Sequence, residues 1–197
     1  MPTVALPASP VPALRLIHLG DAEVPLLQRF FDDNPAYFWA VHGEPALPNE
    51  AHEEVHGAVP AGFSHGEKLV IGYQQPDGAL AAMATVITDL FAPRVWHIGL
   101  FIVATPRHGN GEARRLHDGI QQWAEDHGAL WLRLGVVQGN QRAERFWASC
   151  GYRQVRVREG MTMGQRTNAV RVLVKPLAGG TQEAYLSLVP RDRPDSD

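Results

Sequence analysis

The sequence lacks thiols, a basic excess and long apolar runs. Of 197 residues only Cys150 is a cysteine, which excludes an intrachain disulfide and any cluster or structural zinc site built mainly from thiolates. A reducing, cytoplasmic compartment fits this usage best. Eighteen Lys and Arg stand against 21 Asp and Glu, for a formal charge of −3, so no broad basic field concentrates nucleic acid, and none is expected as a partner. No apolar stretch approaches the ~20 residues that cross a bilayer, and the N-terminus lacks the basic-then-apolar layout of a secretory signal. The expectation is a soluble chain without a membrane partner. His42, His52, His56 and His65 are scattered without metal-ligand spacing, so no metal site is expected.

What is present is enough to build one compact domain, because 45% of the residues are apolar and a chain of this length buries roughly 70% of its surface on folding. Residues 1–12 hold four prolines, whose fixed φ and missing N–H groups favour an extended, flexible arm. Leu177-Ala178-Gly179-Gly180 breaks the last apolar pattern, and the charged segment after Pro190 completes an expected mobile tail over 178–197. The folded unit then spans 13–177.

Within it, Leu14–Ile17 reads as a strand, and Val24, Leu27 and Phe31 recur at helical spacing. Asn34-Pro35 starts a second helix by cap and first-turn chemistry, and Asn49 to His56 gives a third. Lys68–Tyr73 and Ala79–Thr88 form a hairpin through Pro76-Asp77-Gly78. Trp96–Val103 is a nearly unbroken apolar run that suits a central strand, with Gly99 permitting a bulge. Ala113, Leu116, Ile120 and Trp123 mark a long helix, Leu130–Val137 a strand, Ala143, Phe146, Trp147 and Cys150 another helix, and Tyr152–Val157 and Val170–Val174 the last strands. The crossover after Val103 requires parallel strands on either side of the long helix, while the hairpins are antiparallel. A mixed α/β (α+β) sheet of six or seven strands follows.

Pro106-Arg107-His108-Gly109-Asn110-Gly111-Glu112-Ala113 joins the central strand directly to the long helix. Glycines there let backbone N–H groups approach a ligand, and the first helical turn with its dipole attracts a phosphate. An ordinary strand-to-helix turn uses the same residues. No Gly-Lys-Ser/Thr follows, which excludes a Walker loop, and the mid-chain position disfavours a dinucleotide fold.

Asn140-Gln141-Arg142-Ala143-Glu144-Arg145-Phe146-Trp147-Ala148-Ser149-Cys150-Gly151-Tyr152, taken with Leu100–Val103 and the glycine loop, resembles the GNAT N-acetyltransferase superfamily. That family has an Arg/Gln-x-x-Gly-x-Gly/Ala loop and, downstream, an Asn-x-x-Ala-x-x-Phe-Tyr/Trp-x-x-x-Gly-Phe/Tyr helix. The resemblance covers roughly residues 14–175 and implies a mostly antiparallel sheet flanked by helices, with acetyl-CoA held in a cleft between the fourth and fifth strands. By the same resemblance Ile102 and Val103 pair with the pantetheine arm, the amides of His108, Gly109, Asn110, Gly111, Glu112 and Ala113 take the diphosphate, and Asn140 and Phe146 border the thiol end. His108 replaces the usual Arg or Gln of the loop. Trp147 stands where many members have a tyrosine proposed to protonate the leaving thiolate, and an indole is no useful acid at neutral pH.

The implied activity is transfer of an acetyl group from acetyl-CoA to a primary amine of a small molecule by direct attack on the thioester. The low net charge argues against an acceptor carried on tRNA. The family often uses a carboxylate on the fourth strand, but His97 is the only titratable side chain there. It is therefore the candidate base, against the alternative of a hydrogen-bonded structural histidine. Tyr37 and Glu44, on the segment that covers the acceptor side in the family, are the candidate substrate contacts, Glu44 by pairing with a cationic amine or else as an exposed loop charge. Without a fourth-strand carboxylate or the tyrosine, a non-catalytic acyl-CoA-binding or interaction domain is the alternative. A homodimer is allowed by the sequence but not specified by it.

Overall fold

The computed structural model describes residues 4–196. Among them seven strands form one sheet in the order β1-β2-β3-β4-β5-β7-β6, with β1 Arg15–His18, β2 Lys68–Gln74, β3 Leu80–Ile87, β4 Val95–Val103, β5 Trp131–Val137, β6 Arg153–Met163 and β7 Arg166–Pro176. Helices α1 (Val24–Asp33), α2 (Ala36–Val41) and α3 (Glu50–His56) precede β2, α4 (Glu112–Asp126) links β4 to β5, α5 (Gln141–Ser149) links β5 to β6, and α6 (Gln182–Leu188) follows β7. The β4–β5 pair is parallel and the other neighbours are antiparallel, as the crossover requires.

The sheet is packed on both faces. Leu116, Ile120 and Trp123 of α4 bury their stripe against one face, and Leu27, Phe30, Phe31 and Phe38 of α1 and α2 cover part of the other. The bulge anticipated at Gly99 is present, because Thr85 pairs with Leu100 while Val86 pairs with Ile98. One inserted residue reverses the alternation of side chains. Trp96 and Ile98 therefore pack on the α4 side, whereas Leu100 and Ile102 pack with Leu27 and Phe30 on the α1 side.

Both chain ends depart from the reading of free segments. Residues 1–3 and 197 lie outside the described residues, but Val4 and Leu6 pack on the core, Trp123 Nε1 donates to the Ala5 carbonyl (2.9 Å), and Val11 is buried. Apolar side chains between the prolines, which an arm cannot bury alone, join the core between α4 and the sheet, Val11 in the cluster of Leu116 and Val4 and Leu6 in that of Ile120 and Trp123. In the tail, α6 is capped by Thr181 Oγ1, which accepts from Ala184 N–H (3.1 Å). Tyr185, Val189 and Asp192 recur at helical spacing and all three are buried.

Asp192 is the reason the tail is held. Arg133 of β5 donates to it twice, at 2.7 and 3.1 Å, Arg158 donates at 3.1 Å, and the Tyr185 hydroxyl donates at 2.5 Å. Burial alone would raise its carboxyl, but the Arg133 hydrogen bonds and charge, with help from Tyr185 and Arg158, outweigh burial and hold it down at about 2. A carboxylate whose folded value lies below its unfolded value of ~3.9 contributes stability that is complete above that value and is lost as pH falls through the folded one. The contribution is roughly 2–3 kcal/mol at neutral pH. Asp192→Asn is expected to lower stability by at least this amount in urea unfolding at pH 7, and to remove much of the stability loss that the natural chain shows between about pH 4 and pH 2.

Candidate functional site

β4 and β5 share register only from Val95↔Trp131 to Ile98↔Leu134. Past the Gly99 bulge β4 runs on to Val103, and β5 runs on to Val137 paired only with β7. The two parallel strands thus separate, leaving a wedge whose walls are peptide edges. A single turn, Thr105–Arg107, carries β4 into the glycine loop and the start of α4. Buried Asn34 anchors this turn, because its Nδ2 donates to the Phe30 carbonyl (2.8 Å) and its Oδ1 accepts from Thr105 N–H (2.7 Å).

In the loop, Gly109 and Gly111 have φ of 86° and 77°, a left-handed region that glycine enters without a Cβ penalty. Not all the expected phosphate donors are free. The His108 amide donates to the Thr105 carbonyl and the Glu112 amide to Asn110 Oδ1 (2.9 Å). Among the described residues the amides of Gly109, Asn110, Gly111 and Ala113 have no internal acceptor, and they surround the N-terminus of a 15-residue helix. The Glu112 side chain is buried but neutralised by two hydrogen bonds from Arg107. Arg107 is thereby committed to the loop itself. His108 turns its ring back, with Nε2 2.7 Å from the Val103 carbonyl, so this nitrogen donates and the carbonyl keeps a second lone pair.

The wedge opens into a cavity of about 210 Å³ lined by seven of the expected residues, namely Tyr37, Ile102, Val103, His108, Ala113, Asn140 and Phe146. A second cavity of about 500 Å³ lies against the other part of the sheet, and Tyr37, Phe101, Asn140, Ala143 and Trp147 line both. Those five residues form a junction. Phe101 and Phe146 stack across it with centroids 6.0 Å apart, and Trp147 packs on both at 5.8 and 4.9 Å. Asn140 caps α5 by accepting from Ala143 N–H (3.3 Å), which leaves its amide nitrogen to donate elsewhere.

His97 lines the second cavity, apart from the first. Its Nδ1 lies 3.3 Å from an Arg133 guanidinium nitrogen and can only accept from it, so the ring is neutral with its proton on Nε2. Burial, then the Arg133 charge, pushes its pKa down to about 3. The lone pair that a base would use is occupied. Glu44 lines neither cavity. It lies in the loop between α2 and α3, against the tip of the β6–β7 hairpin, with Gln165 Nε2 3.5 Å from Oε2. That hairpin is longer than its apolar core suggests, and it docks on α2 through Gln165 N–H to the His42 carbonyl (2.8 Å) and Asn168 Nδ2 to the Val41 carbonyl (2.9 Å). A Cβ at Gly164 would lie 2.7 Å from His42 Cβ and Glu44 Oε1, so glycine is needed for this approach.

Glu54 of α3 was not singled out from sequence. Thr85 Oγ1 of β3 hydrogen-bonds to its carboxylate, and Lys68 Nζ donates to its backbone carbonyl (2.6 Å). Burial raises its pKa, only partly countered by Thr85 and Lys68, and Glu50 adds to the rise. Burial first and then Glu54 also push the Tyr37 hydroxyl upward. The only sequence signal was Glu50 and Glu54 four residues apart on one face of a short helix.

The sequence model described as the Acetyltransferase (GNAT) family matches residues 26–152. Uncharacterized N-acetyltransferases of Mycobacterium bovis and Mycobacterium tuberculosis are 48% identical over 46 residues, 23% of this chain and 30% of theirs. The match therefore spans about a third of the length of these curated relatives. Among solved structures, an acetyltransferase from Thermus thermophilus aligns over 84% of this chain and 97% of its own with a TM-score of 0.65 at 18% identity. A spermidine N-acetyltransferase from Vibrio cholerae, in complex with CoA and spermine, aligns over 88% of this chain and 98% of its own with a TM-score of 0.61 at 17% identity. At such identities the likeness is one of fold. With the family's model spanning β2 to β5, the glycine loop, α5 and the whole lining of the first cavity, the chain belongs to the GNAT acetyltransferase family.

Proposed function

We propose that the protein is an acetyl-CoA-dependent N-acetyltransferase acting on a primary amine of a small molecule. The observation that carries this reading is the continuity of the β4 edge with four unengaged amides at the start of α4. An extended pantetheine arm adds to an exposed strand edge through main-chain hydrogen bonds, here along Gly99–Val103 and the free lone pair of the Val103 carbonyl. A diphosphate suits the amides of Gly109, Asn110, Gly111 and Ala113 at the positive end of the helix. The residues present thus fit the cosubstrate, and in this reading its thioester end lies at the junction of Phe101, Phe146 and Trp147, whose rings would exclude water.

The amine reaches the junction from the second cavity. Its nitrogen forms a bond to the thioester carbonyl carbon, the carbon–sulfur bond breaks, the electron pair leaves on sulfur, and one proton leaves nitrogen. Holding amine and thioester together supplies several kcal/mol of the barrier, and the Asn140 amide and Trp147 indole N–H are donors available to developing charge. Of the groups read from sequence, His97 is unsuited to take the proton. Glu54 lines neither cavity itself but lies beside Tyr37, which lines both, and it is the better base, acting through water, because burial strengthens a carboxylate's hold on a proton.

Two outcomes are expected. Gly111→Glu, which adds bulk, charge and a left-handed strain, should weaken acetyl-CoA binding by roughly two orders of magnitude in calorimetry with folding intact by circular dichroism. Unchanged binding would refute the cradle, and tight binding by the natural chain without thiol release from any amine would favour the non-catalytic alternative. Glu54→Gln should lower kcat/KM about 100-fold and abolish its fall on the acidic side. That limb, which requires a deprotonated carboxylate, lies above the ordinary glutamate range in the natural chain, whereas His97→Gln should leave it in place.

A further inference from the structure

The larger cavity carries charges that the proposed reaction does not use. Three arginines line it, Arg133 of β5, Arg158 of β6 and Arg191 of the tail. Asp192 is the carboxylate that answers this group, and it is already engaged by Arg133, Arg158 and Tyr185. Arg191 has no carboxylate within salt-bridge reach among the described residues, and its Nε, although buried, has no hydrogen-bond partner. The guanidinium is held instead between two rings, 4.2 Å from the centroid of Phe63 and 4.2 Å from that of Phe91. Arg133 lies 4.9 Å from the same Phe91 ring, which puts Arg191 at the Arg133 end of the cavity. His97, neutral beside Arg133, adds no compensating charge.

The rest of the wall is apolar, with Val59, Pro60, Leu90, Met161 and Met163 among its residues. Arg133 and Val137 mark two ends of this space on β5, and Val137 adjoins the junction at Asn140. Four residues of strand separate them by about 13 Å at ~3.3 Å per residue. A planar guanidinium fixed between two rings, half-buried and with its Nε lacking a partner, matches a carboxylate fork. A cavity near 500 Å³ is of the size that holds a small molecule.

We infer that the acceptor is an elongated amine with an apolar body and a terminal carboxylate roughly 10 Å from the reacting nitrogen, the carboxylate lying against Arg191 and Arg158. This inference rests on the acyl-transfer reading and adds the acceptor class. It also disfavours a polycationic acceptor, since Glu44, the acid expected to meet a cationic amine, lies in the loop after α2 against the hairpin tip and does not line the cavity.

The test uses the full chain with acetyl-CoA and a series of ω-aminocarboxylic acids of increasing length, each beside its terminal amide, with spermidine as a polycation. Free thiol gives KM and kcat, and calorimetry on the CoA-loaded protein gives acceptor affinity independently of turnover. The expected result is a KM at least about 10-fold lower for the carboxylate than for its amide, largest near the ~10 Å length. Arg191→Gln should raise the KM of the carboxylate to that of its amide, and Arg191→Lys should restore part of the difference. Equal KM within each pair, or preference for spermidine, overturns the inference while leaving acyl transfer standing. Absence of thiol release from every acceptor overturns acyl transfer instead. In that case carboxylate-selective binding, lost in Arg191→Gln, still supports the site, and its absence refutes it. The matched pairs on the natural chain decide the question even if the variants fail to fold.

Discussion

β4 and β5 hydrogen-bond over four residue pairs and then part, and the functional end of the molecule is arranged around that separation. Peptide groups on a buried strand edge are costly unless something satisfies them, so an open edge inside a domain suits a ligand with matching donors and acceptors. The Gly99 bulge supplies the bend. It also exchanges the faces of the following residues, so that Leu100 and Ile102 support α1 while Phe101 turns toward Phe146 on α5. One extra residue in one strand thus creates the wedge, anchors the helix pair that roofs it and builds the aromatic junction between the two cavities.

Segments distant in sequence close the space around the wedge. The β6–β7 tip reaches α2 through one main-chain bond, made where glycine is needed at 164, and through the Asn168 amide, and the tail brings Arg191 and Asp192 onto Arg133 of β5 and Arg156 and Arg158 of β6. The Arg133–Asp192 pair serves two ends at once. It pins the tail through bidentate hydrogen bonds, and it holds the Arg133 guanidinium against His97, which keeps that ring neutral and its lone pair engaged. A histidine that looks available on a strand becomes a wall when its cross-strand neighbour is a cation.

The strands and principal helices were legible because each carries its own signal: Asp77-Gly78 for the hairpin, the unbroken run from Trp96 to Val103 for the central strand, and the α4 and α5 stripes. The loop and the Asn140–Tyr152 helix were legible as a pair of motifs in order. What was not legible depends on contacts across the fold. Glu54 reads as one acid among three on a short helix until Thr85 and Tyr37 are placed beside it. The tail seemed free because Gly179-Gly180 and the late prolines are loop residues, although Tyr185, Val189 and Asp192 already had helical spacing. The amides of His108 and Glu112 looked equivalent to their neighbours, and only the local turns show that they are engaged.

The central claim is that the opened edge of β4 and the start of α4 form one continuous receptor for a nucleotide thioester. It is tested most directly by following backbone amide resonances of the isotope-labelled chain while CoA is added. The account predicts that the largest changes fall together on Gly109, Asn110, Gly111 and Ala113 and on the Gly99–Val103 edge, saturating with one affinity. Changes confined to other surfaces, or a spectrum unaltered at millimolar CoA, would contradict it.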